Sequence, residues 1–296
     1  MKQTTMTDTD LAAVRRNFAN RIAALAQLKS ADLVEALANV PREDFVGPGP
    51  WKVMRPPFTS GYVETPDADP THLYDTVVVA LDASRSLNNG EPSGLTAWLD
   101  ALGVGRGVRF LHIGCGTGYY TAVVAHAASP RGAVLALEAD PDLADLARQN
   151  LAAYVNVNVR CATGPTPADG DFDAVFVNAG ATEVLPLWLD RVAEGGRLLV
   201  PLTTARSING GGGGQIGLGH MLRVERRTDA YIARFISPVG IFHCIGARTE
   251  HGEQILRGAY QRGALSMVQS LRRDYHDEHS TCWLHGSSFC LSRTAH

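Results

Sequence analysis

Leu11, Val14 and Phe18 fall on one face of a 3.6-residue repeat, and the apolar positions of 11–40 (LAAVRRNFANRIAALAQLKSADLVEALANV) extend it. Ser30, ahead of Leu33, Ala36 and Leu37, reads as the N-cap of a second helix that Pro41 stops. The pattern then lapses. Residues 47–70 (GPGPWKVMRPPFTSGYVETPDADP) hold six prolines and no period, so a loop or wrapping arm is expected there. A strand is expected over 74–81 (YDTVVVAL), a turn over SLNNGEPS and a short helix over GLTAWLDAL.

From 108 the pattern changes to buried strands alternating with helices: VRFLHIG, YYTAVVAHAA, AVLALE, DPDLADLARQNLAAY, VNVNVRCA, FDAVFVNAG, VLPLWLDRVA and GRLLVPL. Such alternation implies a mostly parallel sheet with helices on both faces. NGGGGGQ (209–215) reads as a flexible turn, followed by two antiparallel strands, IGLGHMLRVERR and DAYIARFISPVGIFHCIG, at the sheet edge. A helix (GEQILRGAYQRGALSMVQSLRR) and an irregular end complete the chain. The expected fold class is therefore α/β: a doubly wound, Rossmann-like, mostly parallel sheet with antiparallel C-terminal edge strands. Its expected regions are a helical segment and arm (1–70), the α/β domain (71–250) and a C-terminal helical extension with a His/Cys tail (251–296).

Composition changes this picture little. A net charge of −3 over 296 residues, with 19% charged positions, carries no basic excess of the kind nucleic-acid binders show. The opening MKQTTMTDTD is polar, and no apolar run reaches the roughly 18 residues of a membrane span, so neither secretion nor a membrane is expected. The five cysteines are odd in number and lie mostly in apolar segments, which suits reduced thiols in the cytoplasm.

Chemistry concentrates at FLHIGCGTGYYTA (110–122), where Gly114, Gly116 and Gly118 follow a strand and open a helix. Glycines there let backbone approach a ligand at the strand ends. Glu138, ending the next strand twenty residues past Gly118, is placed to accept both hydroxyl protons of a ribose. The spacing G-x-G-x-G differs from the dinucleotide fingerprint G-x-G-x-x-G, and no basic clamp for phosphates lies nearby, which opposes a nucleotide-dependent oxidoreductase. The bland alternative is a glycine turn that holds no ligand.

The loop resembles that of class I S-adenosyl-L-methionine-dependent methyltransferases, and the wider chain resembles the protein-L-isoaspartate O-methyltransferases. LANVPREDFV (37–46) is similar to that family's V-P-R-x-x-F segment, and FLHIGCGTGYYTAVVA to its glycine loop and helix. FDAVFVNAGATEVLPLWLDRVAEGGRLLVPL resembles its fourth-strand to fifth-strand stretch, and RFISPVGIF its late strand. The resemblance implies S-adenosyl-L-methionine as cofactor, methyl transfer to a peptide or protein carboxylate, and a donor site of His112, Gly114, Gly116, Thr117, Gly118, Glu138, Thr163 and Asn178. It places catalysis at Asn88, Asn89 and Gly90. NNGEP stands where the family has T-I-S-x-P, so Gly90 falls at the serine tied to isoaspartyl methylation. Thr163, in CATG, takes the place of an aspartate near adenine, and His112 that of an acidic residue.

An ionised carboxylate acceptor requires no general base. Amides suit its orientation because they hold an anion without neutralising it; for Asn88 and Asn89 the competing reading is turn chemistry. A hydroxyl or amine acceptor would need a base, and for His112 and His243 a satisfied place in the core is the plainer reading. Gly90 leaves open a narrower acceptor, such as an aspartate of a dedicated peptide or a small natural-product acid, and a cofactor-binding protein without turnover. The tail's His276, His279, Cys282, His285 and Cys290 match no common zinc spacing, so no metal is expected. The tail is read instead as packing Trp283, Leu284 and Phe289 onto the domain, or as covering the active site.

Overall fold

The computed structural model describes residues 8–58, 60–85, 87–206 and 216–296. The glycine-rich turn expected at 209–215 lies outside them. Helices α1 (Asp8–Ala26) and α2 (Ala31–Asn39) form as the periodicity predicts, and the Ser30 hydroxyl accepts from Leu33 N at 3.3 Å. The proline-rich arm is more ordered than its sequence suggests. Strands β1 (Lys52–Met54), β2 (Val63–Glu64), β3 (Val78–Asp82) and β4 (Leu87–Asn88) form a small antiparallel sheet in the order β2-β1-β3-β4. Its core is Trp51, Val53, Leu73, Val77 and Val79.

Helix α3 (Pro92–Leu102) leads into the main sheet. Strand β5 (Arg109–Ile113), helix α4 (Tyr119–Ala128), strand β6 (Ala133–Glu138), helix α5 (Pro141–Asn150) and strand β7 (Val157–Cys161) run outward from the centre. The chain then returns to the other side of β5 with β8 (Phe172–Val177), short helix α6 (Pro186–Leu189) and β9 (Val192–Arg206). Strand β10 (Ile216–Arg227) adds antiparallel to β9, and β11 (Ala230–Phe242) antiparallel to β10. β5 pairs in parallel with both β6 and β8, so the order of connection reverses between β5 and β8. That reversal opens a crevice beyond their carboxyl ends.

The antiparallel side is wider than the pattern predicts. Helix α7 (Glu250–Arg262) ends at Gly263, whose φ of +67° breaks the helix expected to reach 273. The released chain supplies β12 (Ser270–Arg272), β13 (Cys282–His285) and β14 (Cys290–Ser292), which extend the sheet past β11 in the order β11-β12-β14-β13. Trp283, Leu284 and Phe289 are buried, as the packing reading expects.

Two cores sandwich the sheet. Phe110, Ala136 and Phe176 face α1, α2 and α4; Leu111, Ile113, Leu135 and Val175 face α6, α7 and Trp283. Arg42, just after α2, is wholly buried between the Phe18 and Tyr119 rings. Its guanidinium donates to Leu73 O (2.5 Å), Val77 O (2.7 Å) and Asn89 Oδ1 (3.3 Å), which satisfies much of a charge otherwise costly to bury.

Candidate active site

At the end of β5 the backbone turns sharply into α4. Gly114 and Gly116 have φ of +81° and +57°, and a Cβ at Gly114 would come within 3.3 Å of the Asn178 carbonyl oxygen. Both φ values favour glycine, and at Gly114 the nearby Asn178 backbone also crowds a side chain. The Thr117 hydroxyl donates to Phe45 O at 2.6 Å and ties the loop to the segment after α2.

Glu138, at the end of β6, meets this loop. One carboxylate oxygen accepts from Gly116 N at 2.7 Å, the other from Ala139 N and Asp140 N at 2.9 and 3.1 Å. Three backbone donors fix the group in place and leave acceptor capacity for a ligand. Beside it, a cavity of about 1010 Å³ is walled by the glycine loop, by Pro141, Leu143, Ala162 and Gly164, by Leu87–Glu91 with Trp98, and by the end of β11 and the residues after it, Pro238 to Ile245. That volume is at the upper end for small-molecule sites.

The structure brings together Asn88, Asn89, Gly90, Gly114, Gly116, Thr117, Glu138 and Asn178 around this cavity. It does not bring three other expected residues there. His112 lies inside the sheet on the Phe110 face, stacked on Phe176 with centroids 5.4 Å apart, and its Nδ1 is 2.9 Å from Thr121 Oγ1. Burial pushes its pKa down to about 3, so it is a neutral core histidine. Thr163 is exposed and turned toward Thr166, while its neighbours Ala162 and Gly164 form the wall. Gly118 caps α4 at φ +99°; a Cβ there would come within 2.7 Å of Leu151, which makes it a packing glycine.

The wall at Asn88–Gly90 has its own logic. Asn88 Oδ1 accepts from Gly90 N at 2.9 Å, the turn chemistry anticipated for this pair. Asn89 Oδ1 accepts from Val79 N at 3.0 Å and from Arg42, while its Nδ2 is buried without a partner. Gly90 has φ +77°, and a Cβ on it would lie 2.5 Å from Leu95 Cδ1 and 4.0 Å from the Tyr120 ring. The Tyr120 hydroxyl is likewise buried and unpartnered, and burial raises its pKa, so it stays protonated.

Sequence reasoning missed several wall residues. His243 lines the cavity with an unpartnered Nε2, so it is not the satisfied core histidine expected; burial holds its pKa down. Arg85 and Asp140 pair at 2.6 Å and both line the cavity. No residue after Ile245 lines it, so the tail does not cover the site. The late-strand resemblance of RFISPVGIF was the one available signal for the Pro238–Phe242 wall.

Comparison with known proteins bears on the fold and the family. The solved structure of a protein-L-isoaspartate O-methyltransferase superposes with a TM-score of 0.60 at 19% identity, covering 88% of this chain and 72% of the other. A second, from Plasmodium falciparum in complex with S-adenosyl-L-homocysteine, gives 0.56 at 16% identity over 78% and 97%. Both establish likeness of fold. In sequence, the chain is 29% identical over 193 residues to the protein-L-isoaspartate O-methyltransferase of Methanopyrus kandleri (64% of this chain, 76% of the relative). It is 29% identical over 229 residues to that of Ignicoccus hospitalis (76% and 94%). The family profile described as protein-L-isoaspartate(D-aspartate) O-methyltransferase matches residues 18–209, from within α1 to the end of β9 and just beyond. On that match the chain belongs to the protein-L-isoaspartate(D-aspartate) O-methyltransferase family, of which it is a divergent member.

Proposed function

We propose that the protein binds S-adenosyl-L-methionine in this cavity and methylates a carboxylate of a peptide or protein. The observation that carries the reading is the Glu138 carboxylate, held by three backbone amides against the open glycine turn. Glu138 would take the ribose hydroxyls, Gly114–Thr117 the amino-acid part, and Pro141, Leu143 and Ala162 the adenine. The bound cofactor supplies a methyl group on a positively charged sulfur, open to in-line displacement.

The chain's own part is to aim and dehydrate the acceptor. A carboxylate with an unperturbed pKa of about 4 is already ionised, so no proton need be removed. His243 is then dispensable as a base. Alignment and exclusion of water supply the rate, and Leu87, Trp98, Val239 and Ile241 give the acceptor side an apolar lining. Asn89 Nδ2 and Tyr120 Oη are donors without acceptors beside Gly90. We assign them to the acceptor carboxylate, in place of the hydroxyl that Gly90 lacks.

Gly90 also favours a second reading, a cofactor-binding protein without turnover, because no side chain stands where the family has its serine. One experiment separates the readings: transfer of a tritiated methyl group to isoaspartyl peptides, ordinary aspartyl peptides and small carboxylic acids, alongside calorimetry with S-adenosylhomocysteine. Base-labile label on any of these supports the enzyme. Binding without label supports the second reading, and no binding refutes both.

A further inference from the structure

Outside the cavity, the tail gathers four side chains that bind metals. His276, Cys282, His285 and Cys290 each offer one ligand atom, and these atoms all lie within 4.8 Å of one another. None of the four lines the cavity. The geometry points to a structural zinc site, Cys2His2, at the outer edge of the main sheet.

The local backbone explains how ligands at such irregular spacing converge. Cys282 and His285 are three apart on β13, and strict alternation would send them to opposite faces. The register shifts between Cys282 and Leu284, and a bulge of this kind re-aims side chains so that both reach one side. His285 pairs directly with Cys290 on β14, which brings the third ligand alongside. His276 closes the set from the preceding segment, its Nε2 3.7 Å from Cys282 Sγ. In a tetrahedral zinc site, with Zn–S about 2.3 Å and Zn–N about 2.0–2.1 Å, a sulfur and a nitrogen stand roughly 3.6 Å apart. The cluster therefore needs only small side-chain adjustment to close on an ion.

The surroundings are those of a metal site. His276 Nδ1 lies 2.9 Å from Asp274 O and 3.5 Å from Asp274 Oδ2, partners that fix the tautomer with Nε2 free to ligate. His279 N donates to Cys282 Sγ at 3.5 Å, a contact that supports a thiolate. His285 Nδ1 is buried with no hydrogen-bond partner. Cys282 and Cys290 are buried free thiols. Two sulfurs and two imidazoles suit zinc over the oxygen-seeking cations, and four protein ligands leave no open position for a reacting water. The site is thus structural. Binding would displace two thiol protons and clamp the hairpin whose Trp283 packs on Phe235 and Tyr260 at 5.0 and 5.7 Å.

The test uses the full chain, purified under reducing conditions without chelator. Elemental analysis should find about one zinc per chain, and chelation should lower Tm by several degrees. Metal-free protein titrated with Co²⁺ should show sulfur-to-cobalt charge transfer and tetrahedral d–d bands, a readout that needs no variant. His276→Ala, outside the hairpin, should lose the metal, while His279→Ala keeps it. Zinc below about a tenth of an equivalent with no cobalt bands overturns the proposal. So does a quantitative Cys282–Cys290 disulfide in freshly purified protein.

Discussion

Replacing Glu138 with alanine tests the core of the functional assignment. The carboxylate is proposed to accept from two ribose hydroxyls, and hydrogen bonds to a charged group contribute about 1.5–3 kcal/mol each. Allowing for non-additivity, a loss of about 3 kcal/mol is expected, or roughly 100-fold in affinity for S-adenosylhomocysteine. The same substitution strands Gly116 N, Ala139 N and Asp140 N, so the loop itself loosens. Thermal unfolding of ligand-free protein measures that part separately. Glu138→Gln offers one acceptor oxygen where two are used and should fall between wild type and alanine in both assays. Calorimetry at fixed salt on folded protein is decisive. If Glu138→Ala binds within twofold of wild type, Glu138 does not hold the ribose and the placement of the cofactor fails.

Three further outcomes are expected. Gly90→Ser should lower Tm by about 5–10 °C, since a left-handed φ costs a non-glycine about 1–2 kcal/mol and overlap with Leu95 about 1–3 more; in a double-mutant cycle with Leu95→Ala, which has its own cavity cost, the destabilisation by Gly90→Ser should shrink by that second part. An undiminished Tm refutes the steric account. His112 binds a proton in the unfolded chain below its ordinary pKa of about 6.5 but not in the folded chain above about 3. Stability should therefore fall as pH drops through that window, by about 1.4 kcal/mol per pH unit from this residue. Urea titrations at successive pH values should show a shallower slope in His112→Asn, and an unchanged slope rejects the reading. Iodoacetamide at pH 8 should label exposed Cys161 first; Cys115 and Cys244, buried and held protonated, should react only on unfolding, as peptide mass spectrometry can follow.

The centre of the parallel sheet was legible because β6 and β8 are buried and read as nearly unbroken apolar runs; AVLALE and YYTAVVAHAA match β6 and α4 to the residue. Glu138 was legible because a fixed βαβ geometry sets its distance from the glycines. His112 was misplaced although a signal existed: it stands two residues from Phe110 and so shares that core-facing side. The helix expected over 184–193 shrinks to Pro186–Leu189 because Val192 already pairs with Phe172. The arm's small sheet and the β12–β14 extension rest on pairings such as Lys52↔Glu64 and Ser270↔Ser292 that no local pattern encodes. The convergence of the tail's ligands depends on a bulge, which spacing alone cannot reveal.

Arg42 has a bearing on how this protein can be dissected. Its guanidinium spans from the stretch after α2 to Asn89 on the cavity wall, and Thr117 is tied to Phe45 beside it. A chain begun after Pro70 would lose Arg42, the Phe45 tie on Thr117 and the apolar core that α1 and α2 share with α4, so the wall at Asn89 and the glycine loop should loosen together. The helices and arm ahead of Pro70 are thus a buttress of the cavity, and a dissection of this protein should leave them attached.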